Sequence, residues 1–600
     1  MSNEERESSL HTHAPRGRIH GAMVGHAAGD ALGWPQELPS SNRKGRETLE
    51  PTSGFRAWQR RAANRFLPHE EAFEAGAYSD DTQLLLAVAR SRIVGGRRWW
   101  SYFTRTELPL WTLYERGGGG ATKRAASHWA RQTPPWKANS QNDVSRYFAA
   151  GGNGVAMRVL PHAIIHADSD DPLPLMHDVL LDGAATHGHP RALVGAATYA
   201  YTAWSLLRTD HTLAYGELFD LLLDRQEVWG LAPSADYAKT DWLESAQAVT
   251  GVGYQTLWSE AVEEMANLLH LGKRGLNEGA LADDREMLET LGALGSAKGS
   301  GTVSTASVIY LCSRFAARPL QAVVVAAFSQ GADTDTLAAM SGGLLGCLAG
   351  SDWQPREWTE VQDYQYICRL ADRLTPDRRT GDLPSRAKTI SLQGLKSLRV
   401  AIQEHQSEQL VLDGIRQARI VRTISLETSS PAVRAEEIEI VADDGQRLFV
   451  KVLSKGQTVP SGELKDRSRR KAPNDAKQPS LWRPIDGSAV IVGLTHIVDD
   501  LARMVEFFES MLGLYPTSSG EDHVQYGPLR LTRAEPAVGT VKSPEKRSEV
   551  EIHVHVVDFE KVLERVSQSG LTTTPGRALA IEQRQFRCAD PESNTVVVTG

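Results

Sequence analysis

Apolar, small-residue stretches of helical length, recurring from about residue 19 to 375, constrain this chain more than any other feature. "GAMVGHAAGDALG", "TQLLLAVARSRIV", "PRALVGAATYAYTAWSLL", "SVIYLCSRF", "PLQAVVVAAFSQ" and "DTLAAMSGGLLGCLAG" are rich in Ala and Leu and suit close helix packing. Gly, Pro and Asn clusters separate them, and no pattern of alternating strands persists. Residues 19–375 are therefore expected to form one large all-α domain. At 600 residues the chain is too long for a single hydrophobic core, so further domains must follow.

The character changes after residue 375. A charged helix is expected around "LQGLKSLRVAIQEHQSEQLVLDGIRQ" (392–417), then strands at "ARIVRTISLE", "AEEIEIVA" and "RLFVKVL", with "DDG" as the hairpin turn between the last two. This makes 376–455 a helix plus β-rich extension. The polar, charged, Pro-containing stretch 456–487 reads as a linker. An internal repeat follows. "IVDDLARMVEFFESMLGL" (497–514) and "VVDFEKVLERVSQSGL" (556–571) each read as a strand end, an acidic cap and an amphipathic helix closed by glycine. Two βαβββ modules would build one small α/β domain over 488–600.

Composition excludes several classes. A net charge of −8 carries no electrostatic footprint for nucleic acid or an anionic membrane. The four cysteines, Cys312, Cys347, Cys368 and Cys588, form no CxxC pair and no disulfide framework. The polar N-terminal residues lack a signal peptide's apolar stretch, and no run is long enough to cross a bilayer. A cytoplasmic protein is expected.

Chemistry concentrates in two acidic tetrads. Ser79-Asp80-Asp81-Thr82 and Asp333-Thr334-Asp335-Thr336 each stand at the start of an apolar helix. Such residues also serve as plain N-caps, and spacing alone leaves that reading open. If the two helix starts meet, their carboxylates repel one another unless cations intervene. An all-oxygen set suits a hard ion such as Mg²⁺, and this many acids suit two ions.

The tetrads resemble the metal motifs of the ADP-ribosylglycohydrolases. Further stretches match that family in order: "GAMVGHAAGDALGWPQE" (21–37), "GGGGAT" (117–122), "GNGVAMRVLP" (152–161) and "THGHP" (186–190). The resemblance implies that Ser79, Asp80, Asp81, Asp333, Asp335 and Thr336 ligate two Mg²⁺ ions, which Mn²⁺ could replace. Ser79 stands where many relatives carry Thr, and Ala332 where Gly is usual. Glu37 matches the catalytic glutamate, read here as a loop acid that protonates the leaving atom or activates water. Gly118, Gly119 and Gly120, then Gly151, Gly152, Asn153 and Gly154, match loops whose backbone approaches the ligand's phosphates and ribose. His187 matches a ligand-contacting histidine. Asp30 reads as a positioning group or a cap, and His189 as structural.

Residues 488–600 resemble the glyoxalase/bleomycin-resistance (vicinal oxygen chelate) superfamily through "DLARMVEFFESMLGL" and "DPESNTVVV". Two of that superfamily's ligand positions fall near Gly493 and Val597, neither of which binds metal. Glu551, His553 and His555 alternate onto one strand face as a partial set. A binding or homodimerising module is expected there rather than a second enzyme. The whole chain then reads as a metal-dependent hydrolase acting on an ADP-ribosylated macromolecule or small molecule. The rival readings are a non-catalytic ADP-ribose reader and an immunity protein countering an ADP-ribosylating toxin.

Overall fold

The computed structural model describes residues 15–37, 50–61, 69–233, 241–250, 253–279, 282–375, 389–404, 410–412, 416–428 and 433–455, and eight strands between 494 and 599. The chain divides into two units, Met1–Glu463 and Leu464–Gly600. The first is mostly helical. Among its helices are α1 (Arg16–Glu37), α2 (Asp80–Gly95), α3 (Gly120–Ala130), α4 (Leu173–Ala184), α5 (Pro190–Arg208), α6 (Gly301–Arg314), α7 (Thr334–Ala349) and α8 (Leu392–Gln403), with others between them that include the 24-residue Tyr254–Asn277.

The centre of the unit is the antiparallel pair α1 and α7. Glycines at every fourth position of α1 let the two backbones touch. A Cβ on Gly21, Gly25, Gly29 or Gly33 would lie 2.3, 2.4, 2.1 or 2.2 Å from backbone atoms of Gly350, Gly342, Ala338 or Thr334 respectively. No side chain fits there, so the crossing requires glycine. The close contact brings the C-terminal end of α1 to the N-terminal end of α7. Leu84–Ala89 of α2, which run right round the helix, are buried in the same core.

Two short strands interrupt the helical stretch, contrary to the all-helical expectation. β1 (Trp58–Arg61) and β2 (Glu70–Phe73) pair antiparallel. At four residues each they are too short to show a readable period. Trp58 and Phe73 stack at 4.6 Å and both pack edge-on against Trp34 near the end of α1.

The charged helix expected over 392–417 ends at Gln403. Leu410–Val411 forms β3 instead, pairing with β4 (Gln417–Ser425). Leu410 and Leu412 are buried at that sheet edge, and the apolar burial outweighs local helix propensity. β5 (Val433–Ala442) and β6 (Arg447–Lys455) complete an antiparallel sheet of order β3-β4-β5-β6. The DDG turn joins β5 to β6, with Gly445 at φ 89°.

This sheet shares the helical core through Ile438, Ile440, Leu448, Val450 and Val452. It also grips three segments of the helical body. Lys451 pairs with Glu71 of β2. Arg116 pairs with Glu437 at 3.4 Å and lies 3.8 Å over the Phe449 ring. Asp363 accepts from the Tyr78 hydroxyl at 2.6 Å and from the Arg447 amide at 3.0 Å.

The second unit contains two four-stranded sheets of one design. In the first, β7 (Leu494–Val498) runs parallel to β10 (Leu529–Arg533), followed by β9 (His523–Tyr526) and β8 (Ser518–Ser519) antiparallel. In the second, β11 (Glu551–His555), β14 (Thr595–Thr599), β13 (Gln585–Ala589) and β12 (Thr574–Pro575) repeat that order and those directions. Glu551, His553 and His555 lie on β11 and Val597 on β14. The linker 456–487, Gly493 and the helices expected after Asp500 and Asp558 lie outside the described residues.

Candidate active site

Ser79 caps α2, accepting from the Asp81 amide at 3.2 Å. The Asp80 and Asp81 carboxylates cap no helix amide. Most of the capping work falls to Asp30, one turn before Trp34 on α1. Its buried carboxylate accepts from the Ser79 amide (2.9 and 3.1 Å), the Thr82 amide (2.9 Å) and the Thr82 hydroxyl (2.6 Å). Asp30 therefore holds the tetrad in place and leaves Asp80 and Asp81 free to face inward. In sequence it carried only the ambiguous signal of "GDALG".

At the start of α7, Asp333 precedes the helix without a capping bond. Its Oδ2 accepts instead from Asn153 Nδ2 at 2.8 Å. Asp335 Oδ1 accepts from the Thr336 amide at 2.9 Å. Glu37 was expected in a loop but is the last residue of α1, with Pro35 inside the final turn. Proline ordinarily signals a helix end, and packing of Trp34 against Trp58 and Phe73 carries the helix past it. Glu37, Asp333 and Asp335 can each bring a carboxylate oxygen within 4.8 Å of the others.

Electrostatics marks this group as one cluster. Burial, then Asp333, pushes the Glu37 carboxyl up to about 7, against the pull of Arg60 and Lys298. Asp80 is raised well above the usual range by burial and by Asp30, Glu115 and Glu37. Asp81 is raised by burial and by Asp30, Asp80 and Asp333, and Asp335 by burial and by Glu37, Asp333 and Asp81. Among the described residues, Asp81 Oδ1 is buried without a hydrogen-bond partner. Four mutually destabilising carboxyls and an orphaned buried oxygen fit a divalent cation site of hard oxygen ligands.

The glycine segments divide in their use. Gly117, at φ 91°, passes directly over Asp80: a Cβ there would lie 3.2 Å from Asp80 Oδ1. It was quoted in the sequence motif but not singled out. The Gly118 amide donates to Glu115 Oε2 at 3.0 Å, and a Cβ on Gly118 would meet the Trp111 ring at 2.5 Å. Glu115 gave no sequence signal of its own. Gly119 is the N-cap of α3, where among the described residues nothing lies within 4 Å of an added Cβ, and Gly120 begins that helix.

The 151–154 segment is tied to the approach to α6. Gly152 bridges Ser300, the Asn153 amide donates to the Gly299 carbonyl at 2.9 Å, and the Gly301 amide donates to the Gly151 carbonyl at 3.0 Å. Asn153 is thereby aimed at Asp333, and Gly154 lies beside the buried His187 ring. His189 caps α5, accepting from the Arg191 amide. The structure thus gathers Glu37 with both tetrads and Asn153, and sets His187 against the same glycine segment.

A family model for the ADP-ribosylglycohydrolases matches residues 11–383. The chain belongs to the ADP-ribosylglycohydrolase family. Family membership supports a hydrolase. A curated relative, the "Uncharacterized protein YegU" of Escherichia coli strain K12, is 25% identical over 344 residues, covering 56% of this chain and 88% of that one. A solved structure titled "ADP-ribosylglycohydrolase-related protein complex" is 20% identical and covers 61% of this chain and 99% of its own, at a TM-score of 0.38. The fosfomycin resistance protein FosX from Mesorhizobium loti is 21% identical over 19% of this chain and 92% of its own, at a TM-score of 0.14.

Proposed function

We propose that this ADP-ribosylglycohydrolase cleaves the glycosidic bond joining ADP-ribose to a protein side chain or another molecule, and that it uses two Mg²⁺ ions. The observation that carries this reading is the convergence of Glu37, Asp80, Asp81 and Asp335, as carboxyls that burial and mutual repulsion raise together, with Asp333 beside Glu37 and Asp335. Ser79, Asp80, Asp81, Asp333, Asp335 and Thr336 would hold the ions, with Mn²⁺ as an alternative and Zn²⁺ disfavoured by the absence of nitrogen or sulfur among these ligands. When bound, the cations supply Lewis acidity and an acidified water.

Glu37 would manage the proton. A carboxyl near pKa 7 is present in both forms at neutral pH. It can give a proton to the departing atom or take one from water as positive charge builds on the ribose. Asp30 keeps the α2 tetrad aimed, and Asn153 holds Asp333. Gly119, Gly120 and the 151–154 segment would lie along the ligand's phosphates and ribose.

In the second unit, the repeated strand order supports a glyoxalase-like paired module that recruits a macromolecular substrate or forms a homodimer. Free Cys312, Cys347 and Cys368 suit a reducing compartment such as the cytoplasm. Among the described residues no helix is long and apolar enough to cross a membrane.

The test is incubation with Arg-, Ser- and nucleic-acid-linked ADP-ribose, before and after chelation, with free ADP-ribose measured. Release should require a divalent cation, and Asp335→Asn should abolish it while helical circular dichroism is unchanged. Full activity after exhaustive chelation would sink the dinuclear reading. Binding of ADP-ribose without release from any substrate would favour a non-catalytic reader.

A further inference from the structure

A buried hydrogen-bond relay runs from the helical core to the 151–154 segment. Asp182 on α4 is fully buried and accepts from Arg158 Nε at 2.7 Å. Arg158, also fully buried, spends Nη1 on the Gly154 carbonyl at 2.7 Å. Its Nη2 donates to the Asp182 carbonyl at 3.0 Å and to Thr186 Oγ1 at 2.8 Å. Thr186 Oγ1 then lies 2.7 Å from His187 Nδ1.

The donor inventory selects a direction for this relay. A guanidinium only donates, so one lone pair of the Thr186 oxygen accepts from Arg158, leaving the hydroxyl a second lone pair and its proton. Among the described residues the only other partner of Thr186 Oγ1 is His187 Nδ1, so a protonated Nδ1 would leave the buried hydroxyl proton without an acceptor. The arrangement that satisfies both groups has Nδ1 accepting and the ring's own proton on Nε2. That edge of the ring faces the glycines: a Cβ on Gly154 would lie 3.1 Å from Cε1 and 3.4 Å from Nε2, and one on Gly152 would lie 3.9 Å from Nε2. Burial, followed by the charges of Arg158 and Arg124, pulls the His187 pKa down to about 3. The ring stays uncharged across the physiological range.

We propose that Arg158 and Thr186 are positioning residues that lock His187 in its Nε2–H tautomer, making it a fixed donor to an oxygen acceptor of the sugar-phosphate ligand lying along residues 151–154. The ligand half rests on the functional reading above, whereas the tautomer half is a property of the ligand-free chain. The role asks for a ribose hydroxyl or phosphoryl oxygen opposite Nε2. An uncharged donor reads such an oxygen by direction rather than by Coulomb attraction.

The experiment uses the full-length chain labelled with ¹⁵N-histidine, with His187 signals assigned by their loss in His187→Gln. Long-range ¹H–¹⁵N spectra at neutral pH should show the Nε2–H pattern in the parent and in Thr186→Ser. In Thr186→Val the pattern should shift toward Nδ1–H or a mixture. Calorimetric affinity for ADP-ribose should fall about tenfold in Thr186→Val, the worth of one hydrogen bond, and recover in Thr186→Ser. Circular dichroism verifies that each variant is folded. A parent His187 in the Nδ1–H or cationic form would overturn the relay. A switched tautomer with unchanged affinity would overturn the donor role. If the parent binds no ADP-ribose at all, the functional reading falls and the donor role with it, while the tautomer result stands separately.

Discussion

Glu37 sits where burial and Asp333 hold its carboxyl near neutrality, a value suited to proton transfer and unusual for a helix-end acid. Glu37→Gln keeps the shape and removes the proton. Hydrolysis should fall by about 10²–10⁴-fold, the range of general acid–base catalysis, with ADP-ribose binding retained. Turnover at the parent rate would hand the role to another residue. The same raised carboxyls make the metal-free fold pH-sensitive. A group whose folded pKa exceeds its unfolded one contributes stability only while it holds its proton. For Glu37 that contribution is complete below the ordinary value of 4.5 and lost above about 7, and Asp80, Asp81 and Asp335 act in the same direction. Without metal, the melting temperature should drop as pH climbs from about 5 to about 8. Mg²⁺ should restore far more of it at the higher pH, since cations bind the ionised ligands. Equal Mg²⁺ stabilisation at both pH values would contradict the cluster. Asp80, Asp81 and Asp335 were legible because acidic side chains at apolar helix starts are conspicuous, and Glu37 through the family resemblance. Asp30 was legible only as a positioning group or a cap with no named partner, and Thr186 not at all, because their work lies in hydrogen bonds to residues distant in sequence or hidden in the core.

The pairing of α1 with α7 carries Glu37 to Asp333 and Asp335, and it depends on bare backbone. Gly29→Ala would drive a methyl to 2.1 Å from the Ala338 carbonyl oxygen. The helices must separate, at a cost of about 1–3 kcal/mol or more by urea denaturation, and Mn²⁺ affinity should weaken with stability. A change below about 0.5 kcal/mol would show that the pair gives way without consequence. The run of glycines was visible in the text, but nothing local names the partner helix or the direction of crossing. The β3 strand teaches the converse. "LVL" reads as part of a helix until β4 offers it an apolar edge.

The family match ends at residue 383, yet the first unit continues to Glu463. The β3–β6 sheet in that extension holds Glu71, Arg116 and, through Asp363, Tyr78. Each lies next to a site segment: β2 packs on Trp34, Arg116 precedes Gly117, and Tyr78 precedes Ser79. A fragment ending at residue 463 should therefore cleave a small ADP-ribosylated compound at close to the full-length rate, and one ending at residue 388 should not. On a macromolecular target the longer fragment should lose activity if the second unit raises local substrate concentration or builds a dimer. Loss of small-substrate cleavage in a folded 1–463 fragment would make the second unit part of the active site.

Helical class over 19–375, the strands of 417–455 and the duplicated C-terminal segment follow from composition and periodicity, because burying an apolar face imposes a local pattern that a linear text records. The family resemblance named both tetrads and Glu37 for the same reason: their chemistry needs particular side chains at particular spacings. Tertiary structure alone decided that Glu37 ends a helix, that Asp30 shares the capping of α2 with Ser79, and that the β3–β6 sheet belongs to the hydrolase body. These depend on contacts between residues tens to hundreds of positions apart. The energy of such a contact is set by what the fold brings together, and neither partner's neighbours in sequence encode it.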